Sequence, residues 1–401
     1  MNCSRRVFLT AASGVAVGVR MAGASVQGAN NRVRVAIIGT GGRARGLMNQ
    51  LKPIAGVEIV ALCDVFEPRL LQAAEIAGPA ALKTAEYRRI LDNREIDAVL
   101  IGTPDHWHKK MTLDAVAAGK DVYVEKPVSH TIEEGAEMVR VIEASKQVVQ
   151  TGTQQRSWEH WIQGKEIVQS GKLGQITFVQ AYWYQHARPG SWPAAQPAGL
   201  DWKQWLGPAP DQPFRPERLY QWRHFWDFGG GCLTDLMTHW IDVVHWYMNV
   251  EAPISAYSSG KNYNLKMWEA PDTVTTTLEF PNNFTCAYLG TYVSRVDDGG
   301  LEFRGELGTL KIDRAGLAFY KDDAPYAPGT LTPPPEIVIP SKADGSIAHL
   351  QNWIDCIRSR KTPNAHIRVA HQAARTSHLA NASLRAGKPV RWNSAEERIE
   401  S

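Results

Sequence analysis

Short apolar runs alternate with amphipathic helical spacing through the first half of the chain. The runs are rich in β-branched residues and are bounded by glycine, proline or charged residues, as buried strands are. They lie at 33–38, 57–63, 96–101, 121–124 and 147–151. Repeated strand–helix units of this kind predict a parallel, doubly wound α/β sheet over residues 31–151.

The pattern changes beyond residue 151. Alternating runs predict an open, largely antiparallel sheet built from 176–183, 273–280, 285–292, 301–305 and 308–312. Helical spacing covers 232–248, about 347–358 and 370–386. We therefore expect a second α/β domain over residues 152–390.

Aromatic residues are concentrated in this second region. Eleven of the 14 tryptophans lie between Trp158 and Trp268, and the stretch 186–216 combines proline and aromatics with little periodicity. So long a loop in a compact domain is either functional or an oligomer arm. Its aromatic faces suit stacking on sugar rings, whereas the simpler alternative is that most of these tryptophans anchor irregular loops.

The N-terminus has the pattern of an export signal. Ser4-Arg5-Arg6-Val7-Phe8-Leu9 resembles a twin-arginine (Tat) signal, and an apolar run over 7–19 leads to Ala22-Gly23-Ala24, an A-x-A cleavage site. The run is too short to be a permanent membrane anchor. We expect residues 1–24 to engage the Tat export machinery and the protein to be periplasmic. The alternative is a disordered basic N-terminus on a cytoplasmic protein.

Composition narrows the class of protein. Removal of residues 1–24 leaves 41 basic residues of the original 44 against 41 acidic ones, so nucleic acid is not an expected partner. The remaining cysteines, Cys63, Cys232, Cys286 and Cys356, are widely spaced, which indicates neither a zinc motif nor a disulfide framework. With 44% hydrophobic and 21% charged residues, this is the composition of a soluble globular protein.

A glycine-rich turn follows the first strand. Residues 39–44, Gly39-Thr40-Gly41-Gly42-Arg43-Ala44, fit G-x-G-x-x-G/A, a turn that brings a dinucleotide pyrophosphate to a helix N-terminus. Asp64 ends the second strand, 20 residues beyond Ala44, where a carboxylate binds both adenosine ribose hydroxyls and repels a 2′-phosphate. This favours NAD, although Arg43 and Arg69 leave NADP open. Asp64 could instead be an ordinary acid at a helix N-terminus.

Two further motifs carry ionisable side chains. Glu125-Lys126-Pro127 ends the strand 121–124 at the sheet edge where such folds bind ligands, and a lysine there suits proton chemistry. Asp235 and His239 lie four residues apart on one face of the helix 232–248. The alternative for Glu125-Lys126 is a solvated ion pair at a strand end. The alternatives for Asp235 and His239 are an exposed Asp–His pair or a metal site. We expect no metal, because third and fourth ligands are not recognisable.

Together these motifs resemble the Gfo/Idh/MocA family of glucose–fructose oxidoreductase and inositol dehydrogenase relatives, over nearly the whole chain after the signal. The resemblance implies a Rossmann domain and an α/β domain whose sheet packs against other subunits, in a homo-oligomer such as a dimer or tetramer. It implies Lys126, Asp235 and His239 as the catalytic residues. The cofactor residues that it implies are Gly39, Thr40, Gly41, Gly42, Arg43, Asp64, Thr103, Pro104, His108, Glu125 and Lys126.

The chain departs from the family pattern at two places. Thr153-Gln154-Gln155-Arg156 stands where the family often has asparagine followed by arginine. We carry over Gln154 as a cofactor candidate and Arg156 as a substrate candidate, together with Tyr184 and Arg223. Met237 stands where the family often has glycine, so helix packing near the site is expected to differ.

The resemblance implies reversible oxidation of a secondary hydroxyl on a sugar, glycoside or cyclitol. His239 is the expected general base, Asp235 would orient it or share its proton, and Lys126 would stabilise developing alkoxide charge. Export implies a tightly held cofactor, because no free NAD pool exists outside the cytoplasm. A redox-neutral NAD-dependent glycoside hydrolase or lyase is the alternative, although the asparagine- and tyrosine-rich stretch of such enzymes is not evident. A non-catalytic sugar or NAD sensor, like a yeast galactose repressor on this fold, is the alternative of another class.

Overall fold

The N-terminal half of the molecule is a parallel sheet with helices on both faces, as the strand–helix pattern predicts. The computed structural model describes residues 32–400 except 189, 323–328, 330 and 331; the expected signal, 1–24, lies outside the described residues. The strands are β1 (Val33–Ile38), β2 (Val57–Cys63), β3 (Leu82–Thr84), β4 (Ala98–Ile101), β5 (Asp121–Val124) and β6 (Val149–Thr151). They lie in the order β3-β2-β1-β4-β5-β6, so the strand order reverses between β1 and β4.

Five helices cover this sheet within the described residues: α1 (Gly42–Leu51), α2 (Glu67–Ala77), α3 (Arg88–Leu91), α4 (His108–Ala117) and α5 (Ile132–Glu143). Helix α1 begins directly after the glycine turn. Gly39 has a φ of +80°, and a Cβ on Gly102 would lie 2.9 Å from the Cβ of Ala44. The glycine turn and the small third residue therefore serve the packing predicted for them.

The second domain is a mixed sheet packed against helices on one face. Its strands are β7 (Ile176–Tyr184), β8 (Ser255–Lys261), β9 (Thr273–Phe280), β10 (Phe284–Thr291), β11 (Gly299–Gly305), β12 (Gly308–Asp313), β13 (Gly316–Lys321), β14 (Ile337–Pro340), β15 (Val390–Asn393) and β16 (Arg398–Glu400). Their order is β14-β13-β12-β11-β7-β10-β9-β8-β15-β16. Among these described strands β7 and β10 pair in parallel and the other neighbours antiparallel, which confirms the expected open sheet.

The remaining described helices are α6 (Glu159–Gln169), α7 (Trp202–Leu206), α8 (Pro216–Tyr220), α9 (Thr238–Met248), α10 (Gly345–Ser359) and α11 (Ile367–Ala386). Helix α9 is preceded without a break by a π-helical turn, Leu233–Met237. A π turn rotates the side chains within it relative to an α-helix, and such turns are frequent at functional sites. Asp235 lies inside this turn, whereas His239 lies in the regular helix.

The last two helices connect the domains. Trp353 of α10 is fully buried against the first domain, with its ring 5.6 Å from that of Tyr123 in β5. Helix α11 packs against α5 of the first domain as well as α9 and β8 of the second. The chain therefore returns to its N-terminal half after completing the second sheet, and the two halves share buried surface.

The aromatic-rich stretch also reaches the first domain. Trp205 in α7 accepts hydrogen bonds at its carbonyl oxygen from the Trp107 indole N–H at 2.9 Å, and the backbone N–H of Asp201 donates to Val65 at 2.9 Å. The rings of Trp202 and Trp205 stack at 4.8 Å and are buried. These tryptophans therefore anchor an irregular segment over the first domain. No described helix is long and apolar enough to cross a membrane.

We predict that Gly135→Ala weakens the junction between the domains. Gly135 lies in α5, and a Cβ there would overlap the His371 ring of α11. Overpacking of this kind typically costs about 1–3 kcal/mol of unfolding free energy. Gly46→Ala in α1 is the matched control, because nothing lies within 4 Å of its added Cβ. The control should gain about 0.5–1 kcal/mol from helix propensity.

Chemical denaturation of both variants measures the difference. A Gly135→Ala protein as stable as the Gly46→Ala control would contradict the close approach of α5 and α11.

Candidate active site

A cleft of about 350 Å³ opens at the carboxyl ends of the central parallel strands. It lies where the strand order reverses, which is the usual ligand site of such sheets. Nine of the residues expected to bind the cofactor line it: Gly39, Gly41, Gly42, Arg43, Asp64, Thr103, Pro104, Glu125 and Lys126. Thr40, His108 and Gln154 are buried and do not line it.

The cleft has room for a dinucleotide at its glycine turn. No atom lies within 4 Å of where a Cβ would stand on Gly41 or Gly42, so the backbone there faces open space. The Thr103 hydroxyl oxygen is buried and has no hydrogen-bond partner among the described residues. The residues present therefore fit the pyrophosphate and nicotinamide positions that the fingerprint predicts.

Asp64 is held in a fixed orientation at the nucleotide end of the cleft. Its carboxylate accepts hydrogen bonds from the backbone N–H of Thr40 at 2.7 Å and of Phe66 at 2.9 Å. Arg69 lines the same end of the cleft, whereas Arg43 donates to Glu125 at 2.9 Å. Of the two arginines that left NADP open, Arg69 contacts the Phe66 ring at 5.4 Å but forms no hydrogen bond or ion pair with the described residues.

Two buried residues that the sequence places in the site hold the cleft wall in position, His108 from behind it and Glu125 within it. The His108 imidazole lies 2.6 Å from the carbonyl oxygen of Pro127 and 3.0 Å from that of Thr103. It thereby ties the turn after β4 to the turn after β5. Glu125 is buried, and a Cβ on Gly152 would lie 2.7 Å from its carboxylate, so a glycine is needed at this position. Both contacts position Thr103, Pro104 and Lys126 along the cleft.

The centre of the site is a mostly, but not fully, buried ion pair across the two domains. The Lys126 Nζ donates hydrogen bonds to the carboxylate of Asp235 at 2.6 Å and to its backbone carbonyl at 2.7 Å. The same carboxylate accepts hydrogen bonds from Arg223 Nε at 3.1 Å and from the Tyr292 hydroxyl at 3.0 Å. Burial alone would raise the pKa of Asp235, but the two cations outweigh it and hold that pKa well below its ordinary range.

His239 is a neutral imidazole next to this ion pair. Burial lowers its pKa well below the ordinary histidine value, and the nearby cations Lys126 and Arg314 lower it further. Its Nδ1 has no hydrogen-bond partner among the described residues, and its ring lies 5.5 Å from that of Trp183. The described structure shows no hydrogen bond between Asp235 and His239. Asp235 lies in the π turn, and its carboxylate points to Lys126. The i, i+4 spacing alone therefore does not identify its partner.

The substrate candidates lie in different environments. Arg223 reaches the cleft and Asp235. Arg156 is buried and donates to both carboxylate oxygens of Asp242 at 2.9 Å, away from the cleft lining. Tyr184 is half-buried at the end of β7, and Gln154 is buried with an unpartnered side-chain oxygen. The structure thus brings Arg223 to the catalytic residues and leaves the other assignments as predictions.

Sequence reasoning missed other residues of the site. Tyr292 follows β10 and fixes Asp235, and its place at the end of the predicted strand 285–292 was the available signal. Asp105 lines the cleft, and burial raises its pKa well above the ordinary value although Lys126 opposes the shift. Trp205 of the aromatic-rich stretch, with Tyr220 and Trp222 shortly after it, forms a wall of the cleft. Among the described residues, no group of three or more His, Cys, Asp or Glu side chains is placed to hold a metal.

Models of one family match both domains of this chain. The NAD-binding Rossmann model of the Gfo/Idh/MocA oxidoreductases matches residues 33–153, and the C-terminal α/β model matches residues 165–391. This chain belongs to the Gfo/Idh/MocA oxidoreductase family. It is an NAD-dependent, dehydrogenase-type enzyme, and the fold class predicted from the sequence is confirmed.

Individual members of the family resemble the chain to different extents. It is 25% identical over 358 residues to an uncharacterized oxidoreductase, sll0816, of Synechocystis sp., covering 83% of this chain and 89% of the relative. It is 34% identical over 163 residues to a glycosyl hydrolase family 109 protein of Solibacter usitatus, covering 36% of this chain and 37% of the relative. The solved structure of aldose-aldose oxidoreductase from Caulobacter crescentus matches with a TM-score of 0.69 and 21% identity, covering 90% and 99% of the two chains.

The buried imidazole predicts a pH dependence of stability. His239 binds a proton less readily in the folded chain than in the unfolded chain, whose pKa is about 6.5. The stability that follows from this difference is present above that pH and is lost as the pH falls below it. His239→Asn should therefore reduce the slope of unfolding free energy against pH, below about pH 6, by up to about 1.4 kcal/mol per pH unit.

Denaturant titrations between neutral and mildly acidic pH measure this slope. An unchanged slope in His239→Asn would contradict a buried neutral His239.

Proposed function

We propose that this enzyme oxidises or reduces a secondary hydroxyl of a sugar, glycoside or cyclitol, using a tightly held NAD. The observation that carries the proposal is the Lys126–Asp235 ion pair, whose lysine lines the cleft, with neutral His239 nearby. A cationic donor and an unprotonated base beside a nicotinamide site are what alcohol oxidation requires. The aldose-aldose oxidoreductase of the same fold supports a carbohydrate substrate.

The side chains divide the proton chemistry between them. The substrate hydroxyl lies between Lys126 and His239, and the neutral imidazole of His239 accepts its proton. Lys126 donates a hydrogen bond to the same oxygen and stabilises the negative charge that develops on it. Asp235, held by Arg223 and Tyr292, keeps the Lys126 amine in place. Bound NAD supplies the hydride acceptor at the carbon of that hydroxyl.

Tight cofactor binding is supported by the wall over the cleft. Trp205, Tyr220 and Trp222 come from the second domain yet line the nucleotide site of the first. A cofactor enclosed from both domains dissociates only when that segment moves. Such an enzyme regenerates its cofactor by exchanging the hydride with a second sugar, or it returns the hydride to the same substrate.

The redox-neutral alternative is supported by the family 109 relative. In that reaction, transient oxidation acidifies a neighbouring C–H and allows a glycosidic bond to break. The shared region covers about a third of either chain, so we rank net oxidoreduction first. A sensor without catalysis is disfavoured by the intact Lys126, Asp235 and His239.

Absorbance of the purified protein in the reduced-nicotinamide band separates these functions. A change on adding sugar supports the oxidoreductase. Glycoside cleavage without net change supports the hydrolase, and bound NAD that responds to no sugar supports the sensor.

We also propose export to the periplasm and a homo-oligomer. Export is supported by Arg5-Arg6 and the A-x-A site, which lie outside the described residues. The oligomer is supported by an uncovered sheet face, where Tyr257 of β8 is 47% exposed opposite the helices.

Lys126→Met should remove turnover while preserving the fold and NAD binding. Asp235 keeps Arg223 and Tyr292 as partners, so its charge stays paired. Loss of the donor to the reacting oxygen should lower kcat by about 100- to 1,000-fold. Lys110→Met, at an exposed position on α4, is the matched control and should be unaffected. Turnover by Lys126→Met equal to that of the control would overturn the assignment.

Replacement of Arg5 and Arg6 by lysine should abolish export, because the Tat route reads the arginine pair. Immunoblots of periplasmic and cytoplasmic fractions measure it. The doubly substituted protein is expected in the cytoplasm with its N-terminal segment still attached; unchanged periplasmic export would refute the signal.

A further inference from the structure

A tight hairpin brings an arginine close to His239. Arg314 lies at the turn between β12 and β13. The Asp313 carboxylate accepts hydrogen bonds from the backbone N–H groups of Ala315 at 2.7 Å and Gly316 at 3.0 Å, which closes the turn. The Asp313 carbonyl lies 2.8 Å from the His160 ring of α6 and anchors the hairpin to that helix. The backbone that carries Arg314 is therefore fixed from both sides.

The Arg314 guanidinium stacks on the aromatic residue that contacts the catalytic base. Its Cζ lies 4.5 Å from the centre of the Trp183 ring and 5.9 Å from that of Trp240. The Trp183 ring is in turn 5.5 Å from the His239 ring. Trp183 thus contacts both Arg314 and His239, and its ring is tilted by 38° to the His239 ring. The charge of Arg314 lowers the pKa of His239, although less than burial and Lys126 do.

Arg314 has no counter-charge in the part of the chain that the structure describes. It forms neither an ion pair nor a hydrogen bond there, and its Nε is buried without a partner. Asp298 and Asp344 act on it from beyond ion-pair distance. The other cations around the catalytic residues are engaged, since Lys126 and Arg223 pair with Asp235, and Arg43 pairs with Glu125.

Arg314 is half-buried, and its Nε is shielded from water without a hydrogen-bond partner among the described residues, which is unfavourable and calls for a ligand that completes it. The planar guanidinium fork matches a carboxylate with two parallel hydrogen bonds. Positive charge beside His239 also opposes protonation of this base. A negatively charged substrate group, once bound at Arg314, would offset that opposition. These observations indicate an acidic substrate group on the Trp183 side of the reacting hydroxyl.

We propose that Arg314 binds the carboxylate of an acidic sugar, a uronate or aldonate, and so selects this class over neutral sugars. This specificity rests on the proposed function, because it places the hydroxyl of the same sugar at Lys126 and His239. The subsite adds recognition of charge to a site whose other cations, Lys126, Arg223 and Arg43, are paired with carboxylates.

Matched sugar pairs test the proposal on the NAD-loaded full chain. Calorimetry measures binding and steady-state kinetics measures kcat/KM for glucuronate against glucose, galacturonate against galactose, and gluconate against sorbitol. The wild type should favour the acids, more strongly at low ionic strength. Arg314→Gln should weaken binding of the acids by about 10- to 150-fold, because hydrogen bonds to charged groups contribute about 1.5–3 kcal/mol. Binding of neutral sugars should stay unchanged.

Two further variants control for folding and for general charge. Arg314→Lys keeps the charge but loses the fork, so it should retain part of the preference. Arg304→Gln removes an exposed arginine on β11 that pairs with Glu302, and it should leave every sugar unaffected. If Arg314→Gln does not fold, Arg314→Lys and the salt dependence of the wild type still decide the question.

The outcomes separate this proposal from the proposed function. No preference for any acid in the panel, or an equal loss for acidic and neutral sugars in Arg314→Gln, overturns the carboxylate subsite. A preference for glucose 6-phosphate over glucuronate also overturns it. Binding of acids that depends on Arg314 with no change in the nicotinamide band supports the subsite and refutes the oxidoreductase. Turnover of neutral sugars that does not change when Arg314 is substituted supports the oxidoreductase and refutes the subsite.

Discussion

The Lys126–Asp235 ion pair is the contact on which the site depends, because it joins the first domain to the second at the cleft. Removing two opposite charges from water is unfavourable unless each is paired and hydrogen-bonded. Here the carboxylate has three donors, and the amine also reaches the Asp235 carbonyl. The pair therefore fixes the distance between the parallel sheet and the π turn, and with it the place where substrate meets cofactor.

The surroundings of this pair keep acid and base groups in different protonation states. Asp235 is held ionised by Lys126 and Arg223, whereas His239, one helical turn away, is held neutral by burial and by the cations Lys126 and Arg314. Asp105 is a third case, a buried carboxyl whose pKa is raised because desolvation exceeds the effect of Lys126. The positive charge of Lys126 thus acts to lower all three pKa values, whereas burial raises the pKa of a carboxyl and lowers that of an imidazole, so the balance differs from group to group.

Packing between the domains fixes the distances between these side chains. Helix α10 buries Trp353 against β5, and α11 lies against α5, α9 and β8. The aromatic segment closes the nucleotide end of the cleft from the other side. Since β5 delivers Lys126 and α9 continues from the π turn, both halves of the ion pair are attached to elements that these contacts immobilise.

The sequence by itself determined the features that depend on local chemistry. Alternating apolar runs specified both sheets, the glycine turn at 39–44 specified the phosphate end of the cleft, and Asp64 and Lys126 followed from their places at strand ends. Each of these needs only periodicity, chain direction and the rule that parallel strands present their carboxyl ends at one edge. Short edge strands such as β14 and β16 escaped prediction because their pattern is too brief.

Only the tertiary structure decided which side chains pair. Helical spacing placed Asp235 beside His239, but a π turn directs it to Lys126, and neither the turn nor the partner 109 residues away is visible in local sequence. In the sequence alone, Arg156 and Arg314 are equally able to pair with an acidic group. The fold buries one against Asp242 and leaves the other unpaired beside the catalytic base, because charge pairing depends on distances in space between distant parts of the chain.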